Sequence, residues 1–411
     1  MRVVDLLNDG NEVDVEQLSV FSDVQINVLK PWDERTIFLF EALSKRILCD
    51  KKLLRNGQFV AFAFWIRKSN MQKIKEGNKV DNLDNVVVKP LGLLFHVAPA
   101  NVDTIFLYSL VIGLLMGNKN IVRLSNRIQS KDINLLVVLI SEILKDPTFT
   151  VFTNYLSIIT YSRNDQIGEW FSLKVDARVI WGGDNTVKKF KEYTTRPSCK
   201  DIFFPDRISG LVLNSKKILE YGVNEFSNFI SRFYNDIFYF DQLGCSSPRI
   251  ALFIGSKDDS TVLRDKIIEQ TTKLEFQKGN LDINSVASLK LNQLITDCLE
   301  DRILNASGNS VIQFAQITEK RKNLISYHGC GGGFLYYEFL DSLYLPFELQ
   351  TVELQTISYE GFSKMEISDL ILNYNGKGLD RLVPLGKALQ FHYIWDGKNL
   401  FEQLSRRLYW E

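Results

Sequence analysis

Apolar residues recur along the chain at two different spacings. The first ~75 residues have the spacing of helices, and Pro31-Trp32-Asp33-Glu34 can begin one, since proline suits a first helical turn and acids favour the helix dipole. After residue 85, short apolar runs typical of strands alternate with amphipathic stretches. Strands are predicted at 86–88, 91–97, 121–124, 149–161 and 177–181, and helices at 104–118 and 130–144.

A second series of the same kind begins near Leu211. It starts with a strand at 211–213 and continues with a helix at 223–238 and a strand at 250–254, whereas 305–322 has a mixed pattern. Alternation of strands and helices predicts parallel α/β sheets, and a chain of 411 residues suits two domains. Each strand would end in a turn at the edge where such sheets bind ligands. We therefore predict an α/β protein with two domains, divided near residue 208.

Composition and charge narrow the class of protein. Hydrophobic residues make up 45% of the chain, and Lys+Arg and Asp+Glu are both 49, so the formal net charge is zero. A soluble globular protein is expected, because a nucleic-acid-binding protein would need a basic excess. The longest apolar stretch in the first third, 104–118, is shorter than the ~20 residues of a membrane span. We expect no nucleic acid partner and no membrane span.

Cysteine and histidine are too sparse to predict a metal centre. The five cysteines, at 49, 199, 245, 298 and 330, form no Cys-x-x-Cys pair, and there are three histidines. Neither a disulfide framework nor a zinc site is indicated. Reduced thiols, and the lack of an apolar signal core after Met1, predict a cytoplasmic protein without metal.

Cys245 is the strongest candidate for chemistry. It lies in the segment Gln242-Leu243-Gly244-Cys245-Ser246, between a predicted aromatic-rich helix and an apolar strand. Small neighbours leave room for a substrate carbonyl, and backbone N–H groups in a tight turn can stabilise a thiolate or an oxyanion. A buried cysteine that only fills space is the alternative. The turn makes the two interpretations equally favoured.

Three features upstream could serve the same chemistry. Asn101 follows a buried strand and Pro99, so its side-chain amide could hold an oxyanion, although capping a helix is the simpler role. Arg123 ends a predicted strand, where a cation can meet a ribose or a phosphate; a surface charge is the alternative. Gly182 and Gly183 separate a strand from a helix and would let a dinucleotide approach, although no Gly-x-Gly-x-x-Gly motif is present.

Two further motifs carry no chemistry by themselves. The run Gly-Cys-Gly-Gly-Gly at 329–333 matches no phosphate-binding loop and is predicted to be a flexible or tightly packed turn. Trp395-Asp396-Gly397 is predicted to be a structural turn anchored by its aromatic ring.

The order and spacing of these motifs resemble those of the aldehyde dehydrogenase superfamily. More narrowly, the chain resembles the fatty acyl-CoA reductase family of the bacterial luminescence type, from about residue 85 to 400. The motifs that carry the resemblance are 96–104, 117–125, 181–184, 242–248, 381–388 and 395–397. The resemblance implies an α/β, aldehyde dehydrogenase-like fold, with two parallel-sheet domains and an active-site cleft between them.

The resemblance also assigns roles to individual residues. It implies that Cys245 is the catalytic nucleophile and that Asn101 holds the oxyanion. Arg123 stands where aldehyde dehydrogenases often carry a lysine that contacts the adenosine ribose. The implied cofactor-binding residues are Pro99, Arg123, Ser125, Gly182 and Gly183.

One residue expected from the superfamily is missing. Aldehyde dehydrogenases that form acids carry a glutamate about 35 residues before the cysteine, which activates the water that hydrolyses the acyl-enzyme. The corresponding segment here, 203–210, contains no Glu; Asp206 could substitute as a base, but Arg207 beside it would tend to keep it paired. This absence favours a thiol as the acyl partner, and hence the reduction of a thioester. A Glu-Phe-Gly-Pro contact to the nicotinamide ribose is not evident either.

The resemblance therefore implies NADPH-dependent reduction of a fatty acyl-CoA, or of an acyl-protein thioester, to an aldehyde through an acyl-cysteine. NADH is the alternative cofactor, and Arg123 would suit the 2′-phosphate of NADPH. The acyl chain is expected to be long, and Phe233, Tyr234, Phe238 and Tyr239 could line its tunnel, although core packing is the simpler role. A homo-oligomer and an acyl-donating partner enzyme are also expected.

The implied domains are 1–208, a helical N-terminal segment with the cofactor-binding domain; 209–375, a catalytic domain with the cysteine; and 376–411, a segment that packs back on the core. Two other functions remain open. One is a cofactor-independent acyltransferase or acyl-binding partner protein, against which binding of a nicotinamide cofactor would argue. The other is an aldehyde-oxidising dehydrogenase, which acid formation without CoA would support.

Overall fold

Two seven-stranded sheets organise the computed structural model, which describes residues 1–22, 28–78, 85–99, 104–125, 131–279, 281–318, 329–346 and 349–411. Its α-helices are α1 Glu34–Cys49, α2 Gly57–Trp65, α3 Lys68–Gly77, α4 Ile105–Leu115, α5 Lys131–Leu144, α6 Asp165–Lys174, α7 Asp184–Glu192, α8 Ser215–Leu219, α9 Val223–Phe238, α10 Lys257–Lys278, α11 Ile283–Leu299, α12 Lys364–Asn373 and α13 Leu400–Gln403. Its strands are β1 Arg2–Asp5, β2 Asn11–Asp14, β3 Val86–Pro90, β4 Leu93–Val97, β5 Lys119–Ser125, β6 Leu156–Tyr161, β7 Ala177–Trp181, β8 Lys200–Phe204, β9 Ile208–Asn214, β10 Pro248–Ile254, β11 Ile303–Gly308, β12 Gln313–Ile317, β13 Phe334–Leu340, β14 Leu354–Glu360, β15 Arg381–Pro384, β16 Ile394–Trp395, β17 Lys398–Asn399 and β18 Ser405–Tyr409.

The chain divides into two compact units. Unit 1 comprises Met1–Pro205 and Lys398–Glu411, and unit 2 comprises Asp206–Gly397. Each unit contains one of the two large sheets. The domains implied by the resemblance end at residues 208 and 375 and were defined by function. The division into compact units does not test them, and they remain predictions.

The sheet of unit 1 has the strand order β2-β1-β6-β5-β4-β7-β8. The five strands from β6 to β8 are parallel, and a helix lies between each pair that is consecutive in sequence. Numbered along the chain, these five strands have the order 3-2-1-4-5, so the direction of winding reverses at β4. Such sheets bind ligands at the carboxyl ends of the strands beside this reversal.

The first 14 residues correct the prediction of a helical N-terminus. They form the antiparallel strands β1 and β2, which extend the sheet through the pairs Val4–Thr160 and Asp5–Ile159. Val3, which is 1% exposed, joins the core of unit 1. Strands of four residues carry too little periodicity to be recognised, and their partner β6 lies far along the chain. Later in the predicted helical segment, Glu34–Cys49, Gly57–Trp65 and Lys68–Gly77 do form the helices α1 to α3.

The strand predicted at 149–161 is shorter in the structure. It begins only at Leu156, because Thr150–Asn154 forms a 3-10 helix. The Thr150 hydroxyl donates to Pro147 O at 3.1 Å and the Thr153 hydroxyl donates to Thr150 O at 2.7 Å. Such bonds to nearby carbonyls stabilise turns in competition with a strand. The apolar stretch after Thr104 forms the 11-residue helix α4, and no helix in the described part of the chain is long and apolar enough to cross a membrane.

The sheet of unit 2 has the order β11-β12-β13-β10-β9-β14-β15. Only the edge strand β11 is antiparallel to its neighbour, and it forms a hairpin with β12 in the segment whose pattern was mixed. The strands β13, β10, β9, β14 and β15 repeat the order 3-2-1-4-5. One face is covered by the predicted helix α9, whose Phe229, Phe233 and Ile237 are fully buried in the core.

Candidate active site

Cys245 lies in a turn at the amino-terminal edge of the unit 2 sheet. The turn follows α9 and the 3-10 helix Tyr239–Gln242, and it leads directly into β10. The neighbouring strands β10, β9, β14 and β15 all begin at this edge, so residues at their starts come together. The sequence pattern predicted chemistry at the opposite, carboxyl edge; the cysteine departs from that rule because it precedes its strand. Cys245 is a free cysteine, and the residue as a whole is partly exposed.

The buried amide of Gln242 supports this turn. The side chain is 0% exposed. Its Nε2 donates to Pro248 O at 2.7 Å and to Phe334 O at 3.0 Å, and its Oε1 accepts from the N–H groups of Gly333 at 2.9 Å and Phe334 at 3.1 Å. The amide therefore uses both donors and both lone pairs, and it ties the start of β10 to the start of β13.

Strained backbone precedes the cysteine. Residues 240–242 have left-handed φ values of 59°, 51° and 61°, each of which costs about 1 kcal/mol or more in a non-glycine residue. The glycine run at 329–333 packs against them, since Gly332 N–H donates to Asp241 O at 3.0 Å. Gly333 has φ +86°, and a Cβ there would lie 2.6 Å from the Phe238 ring. Of the two roles predicted for this run, the tightly packed turn is the one observed.

Gln355 is the residue that contacts the thiol. Its Nε2 lies 3.4 Å from Cys245 Sγ and also donates to Asp396 Oδ1. It is the second residue of β14, where the pairing of β14 with β9 is irregular, and such irregularities re-aim side chains. The Ser209 hydroxyl donates to Cys245 O at 2.8 Å and accepts from Thr356 N–H at 3.2 Å. Through Ser209, β9 connects the cysteine turn to β14.

Arg207, which is paired with Asp380, holds the carboxylate of Asp396. Arg207 Nη1 lies 3.8 Å from Asp396 Oδ2, and its Nη2 forms an ion pair with Asp380. Asp396 is 5% exposed and has φ +47°, and a Cβ on the next residue, Gly397, would lie 2.8 Å from Asp380 Oδ1. The guanidinium of Arg207, for which the sequence suggested Asp206 as a partner, lies against Asp380 and Asp396. The predicted structural turn at 395–397 thus brings a carboxylate to the thiol.

A second cation, Arg381, faces the site from the start of β15. Its guanidinium donates to two carbonyls of the segment after β15, at 3.0 and 2.9 Å, and its Cζ lies 4.6 Å from the centre of the Trp395 ring. Burial lowers the pKa of Arg381, while the nearby Cys245 and Asp396 raise it. Two of the motifs that carried the family resemblance, 381–388 and 395–397, therefore meet beside Cys245.

Burial decides the protonation state of the thiol. It raises the pKa of Cys245 to about 11, and the Asp396 carboxylate acts in the same direction. The Gln355 donor, and after it the cations Arg381 and Arg207, lower this pKa. Without a ligand the thiol is therefore protonated at neutral pH, and the surrounding donors only partly offset its burial.

The turn also presents free backbone donors. Within the part of the chain that the structure describes, the N–H groups of Cys245 and Ser246 donate to no acceptor. Backbone donors beside a nucleophile are suited to an oxyanion that develops on the attacked carbonyl. Asn101, predicted as a further oxyanion donor, lies outside the described residues.

The predicted cofactor residues lie on three neighbouring strands of unit 1. Pro99 follows β4, Arg123 and Ser125 belong to the end of β5, and Gly182 and Gly183 follow β7. Since β4 lies between β5 and β7, these residues share the carboxyl edge at the reversal of winding. Doubly wound sheets bind dinucleotides at this place. The structure thus brings the five residues to one edge, and their role in cofactor binding stays a prediction.

Arg123 and the glycines have features of a nucleotide site. Arg123 Nε is buried without a partner among the described residues, and its Cζ lies 5.0 Å from the centre of the Tyr161 ring. A Cβ at Gly182 would lie 3.1 Å from Thr186. Gly183 O accepts the Thr186 N–H at 2.8 Å in the first turn of α7. A buried cation with an unfilled donor and a glycine turn that opens a helix, at the same edge of one sheet, suit a phosphate or a ribose.

His96 is a core residue that joins the same three strands. Its Nε2 donates to Asn120 Oδ1 at 3.0 Å, and its Nδ1 lies 3.1 Å from Ser109 Oγ, which also accepts from Trp181 Nε1 at 3.1 Å. Burial lowers the pKa of His96 to about 4. A neutral imidazole therefore connects β4 to β5 and, through Ser109, to β7.

Sequence reasoning missed the partners of Cys245. Gln355 belongs to no motif, so nothing in the sequence marks it. Arg381 and Asp396 belong to motifs that carried the resemblance, which was the one signal available. The aromatic residues considered for an acyl tunnel serve mainly as core: Phe233, Tyr234 and Phe238 are at most 6% exposed and pack together, while Tyr239 is 39% exposed.

The fold is that of the aldehyde dehydrogenases. A putative aldehyde dehydrogenase from Burkholderia cenocepacia superposes with a TM-score of 0.65 at 11% identity, covering 99% of this chain and 93% of its own. An aldehyde dehydrogenase from Brucella melitensis biovar abortus 2308 gives 0.62 at 10% identity, covering 100% and 93%. Glyceraldehyde-3-phosphate dehydrogenase from Methanocaldococcus jannaschii, complexed with NADP, gives 0.59 at 10% identity, covering 93% and 89%. The predicted fold class, α/β with two parallel-containing sheets, is confirmed.

The sequence places the chain more narrowly. The family model for acyl-CoA reductase (LuxC) matches residues 26–275, more than half of the 411 residues, and the chain belongs to this family. The resemblance stated from the motifs is thereby confirmed. No curated protein sequence matches the chain. Family and fold together support an oxidoreductase that acts on acyl or aldehyde groups.

Proposed function

We propose that this protein reduces fatty acyl-CoA thioesters to aldehydes with a reduced nicotinamide cofactor, through an acyl group carried on Cys245. The observation that carries the proposal is the surroundings of Sγ in a chain of the acyl-CoA reductase family. The turn holds a free thiol and two backbone N–H groups that have no acceptor among the described residues, and Gln355 on β14 places a side-chain donor 3.4 Å from the sulfur.

The first step is attack by sulfur on the thioester carbonyl. The thiol of Cys245 loses its proton to solvent, and Gln355, Arg381 and Arg207 stabilise the thiolate that forms. A bond forms between Sγ and the carbonyl carbon, and the carbonyl electrons move to oxygen. In this proposal the N–H groups of Cys245 and Ser246, which have no acceptor among the described residues, hold that oxyanion.

The second step releases the carrier thiol. The carbonyl re-forms, the bond from carbon to the CoA sulfur breaks, and the CoA thiolate takes a proton from solvent. The acyl group remains on Cys245 as a new thioester. Asp206, the acid nearest to the missing glutamate position, is exposed, and an exposed carboxylate is a poor base for activating water. Reduction of this acyl group by hydride is therefore favoured over its hydrolysis by water.

The residues of unit 1 fit a nicotinamide dinucleotide. Arg123 Nε, which is buried without a partner among the described residues, and the glycine turn before α7 suit a phosphate-bearing ligand at the reversal of winding. Arg123 and Ser125 at the end of β5, Pro99 after β4 and the Gly182-Gly183 turn would hold it. When bound, NADPH or NADH would supply the hydride that reduces the acyl-cysteine carbonyl. The resulting hemithioacetal oxyanion expels the Cys245 thiolate, which leaves a free aldehyde.

Transfer of radiolabel from acyl-CoA tests the proposal. The purified protein is mixed with acyl-CoA labelled in the acyl group, without cofactor, and the labelled peptide is identified. We expect acid-stable label on Cys245, its loss in Cys245→Ala and its retention in Cys298→Ala, which removes an exposed thiol of the same unit. Addition of NADPH should then release the label as aldehyde.

Three outcomes would contradict the proposal. Label at wild-type level in Cys245→Ala would remove this residue as the nucleophile. Label that stays on the protein with NADPH, together with no cofactor binding by calorimetry, would favour a cofactor-independent acyltransferase. Formation of the free acid from an aldehyde and an oxidised nicotinamide cofactor, without CoA, would favour an aldehyde-oxidising dehydrogenase. A long acyl chain, the preference for NADPH over NADH, an acyl-donating partner enzyme and a homo-oligomer belong to the same proposal and rest on the family.

A further inference from the structure

The amide of Gln355 bridges sulfur and carboxylate. Its Nε2 lies 3.4 Å from Cys245 Sγ and donates to Asp396 Oδ1, so the two hydrogens of one nitrogen point at two acceptors. All of these groups belong to unit 2. Gln355 is 0% exposed, and its contact with the thiol is therefore not shared with solvent.

Asp396 determines which way the amide faces. In the opposite orientation Gln355 Oε1 would face the Asp396 carboxylate, and two acceptors would repel each other without a proton between them. The observed orientation places a donor on sulfur instead. A donor on sulfur favours the thiolate over the thiol, because it stabilises the charged form.

Stability alone does not explain this arrangement. Gln355 Oε1 is buried and accepts no hydrogen bond from the described residues. A buried acceptor left unfilled costs on the order of 1–3 kcal/mol, and sulfur is a weak acceptor for the donor that faces it. Gln242, which supports the same turn, has hydrogen-bond partners for both its Nε2 and its Oε1, as expected of an amide with a purely structural role.

The carboxylate is itself held in place. Arg207 lies between Asp396 and Asp380, and the side chain of Asp396 is 1% exposed. The left-handed backbone at Asp396 and Gly397 turns that carboxylate inward, and a side chain at Gly397 would collide with Asp380. The order Asp380, Arg207, Asp396, Gln355, Cys245 is thus a continuous series of polar contacts that ends on sulfur.

From this geometry we infer that Gln355 is a further catalytic residue, which donates to Cys245 Sγ, and that Asp396 is a positioning residue, which holds the Gln355 amide in the donating orientation. The inference rests on the proposed function for its catalytic meaning. The contact with sulfur itself can be tested without any acyl substrate.

Alkylation of Cys245 by iodoacetamide measures the contact. The thiolate displaces iodide from carbon, a C–S bond forms and a C–I bond breaks, so the rate follows the thiolate fraction. The rate at Cys245 is followed by mass spectrometry of its peptide as a function of pH. Gln355→Met keeps the shape of the side chain and removes the donor. We expect the midpoint to rise by roughly one pH unit, with alkylation about tenfold slower at pH 8.

The chain offers a matched control in Gln350. It stands in the same Glu-Leu-Gln-Thr tetrapeptide five residues earlier, and its Nε2 donates to a backbone carbonyl, Leu345 O, at 2.7 Å. Gln350→Met should leave the rate and midpoint at Cys245 unchanged. Gln355→Asn keeps an amide that is too short to reach Sγ, and it should behave like Gln355→Met. It carries the test if the methionine variant does not fold.

A double-mutant cycle tests Asp396. Its carboxylate acts on the thiol directly by charge, and Asp396→Asn removes that effect in any background, so the midpoint falls. Its effect through the amide exists only when Gln355 is present. The shift caused by Asp396→Asn should therefore differ between the wild type and Gln355→Met. Equal shifts in both backgrounds would show that Asp396 does not act through Gln355. The groups that face the thiol are Asp396, Gln355, Arg381 and Arg207.

The two proposals fail in different ways. If Gln355→Met and Gln355→Asn alkylate like Gln350→Met, the contact with sulfur has no chemical role, whether or not Cys245 accepts an acyl group. If the alkylation shift appears but acyl-CoA never labels Cys245, the proposed reductase function fails. If both appear, acyl transfer to Cys245 in single-turnover experiments should be about tenfold slower in Gln355→Met than in Gln350→Met.

Discussion

Replacing Gln242 by methionine should destabilise unit 2 and loosen the turn that carries Cys245. Methionine keeps the length of the side chain, so the change removes the amide without opening a large cavity. Four hydrogen bonds disappear, two given to the carbonyls of Pro248 and Phe334 and two received from Gly333 and Phe334. Phe334 N–H retains a bond to Gly331 O at 3.2 Å. The Gly333 N–H and the two carbonyls lose these buried bonds.

The expected loss of stability follows from these groups. A buried polar group left without a partner costs about 1–3 kcal/mol, and a carbonyl that keeps a strand bond loses less than an N–H with none. We expect a decrease of about 3 kcal/mol in the free energy of unfolding. For a unit of this size, that corresponds to a Tm lower by about 6–12 °C.

Urea and thermal denaturation measure this difference. Gln350→Met is the control, since that side chain makes one hydrogen bond to a carbonyl, and its loss should amount to about 1 kcal/mol or less. The rate at which iodoacetamide alkylates Cys245 should differ less between the folded and the urea-unfolded protein in Gln242→Met than in the wild type. If Gln242→Met and Gln350→Met lost equal stability, the account of the turn as an amide-supported structure would be refuted.

Other predictions concern both units. The pKa of His96 is about 4 in the folded protein and near 6.5 in the unfolded chain. Its contribution to stability is therefore complete above pH 6.5 and falls by about 3 kcal/mol as the pH decreases towards 4. His96→Gln should flatten that dependence, as measured by urea denaturation at pH 7 and pH 4.5. Gly333→Ala would place a Cβ 2.6 Å from the Phe238 ring at a residue with positive φ, so the free energy of unfolding should decrease by roughly 2–4 kcal/mol. A Tm within 2 °C of the wild type would contradict the packing described. Arg123→Leu should weaken NADPH binding about tenfold and NADH binding less, by calorimetry, whereas Arg163→Leu, at an exposed cation, should change neither.

The positions of most elements could be predicted from local pattern. The strand at 177–181 and the helix at 223–238 form with the predicted bounds, since an apolar run or a helical repeat is a local property of the sequence. The strands of the first 14 residues could not be predicted, because they exist only by pairing with β6. At 150–154 local hydrogen bonds override the pattern, because two threonine hydroxyls donate to nearby carbonyls and stabilise a 3-10 helix where a strand was predicted.

Some residues of the candidate site could be predicted from the sequence and others could not. Cys245, Arg123 and the Gly182-Gly183 pair were found from their turns and spacing, and their roles remain predictions. Asn101 lies outside the described residues. Gln355 could not be found, because its sequence neighbourhood repeats that of Gln350 almost letter for letter and only the fold distinguishes the two.

The sequence by itself determined most of the elements, the family and the position of the thiol, because these depend on spacing within short segments. The tertiary structure decided what surrounds that thiol. Arg207, Cys245, Gln355 and Arg381 stand at the starts of four strands whose order, β10-β9-β14-β15, differs from their order along the chain. Neighbours across such a sheet are set by crossover connections and by register, and these depend on the packing of whole helices and strands rather than on any local pattern.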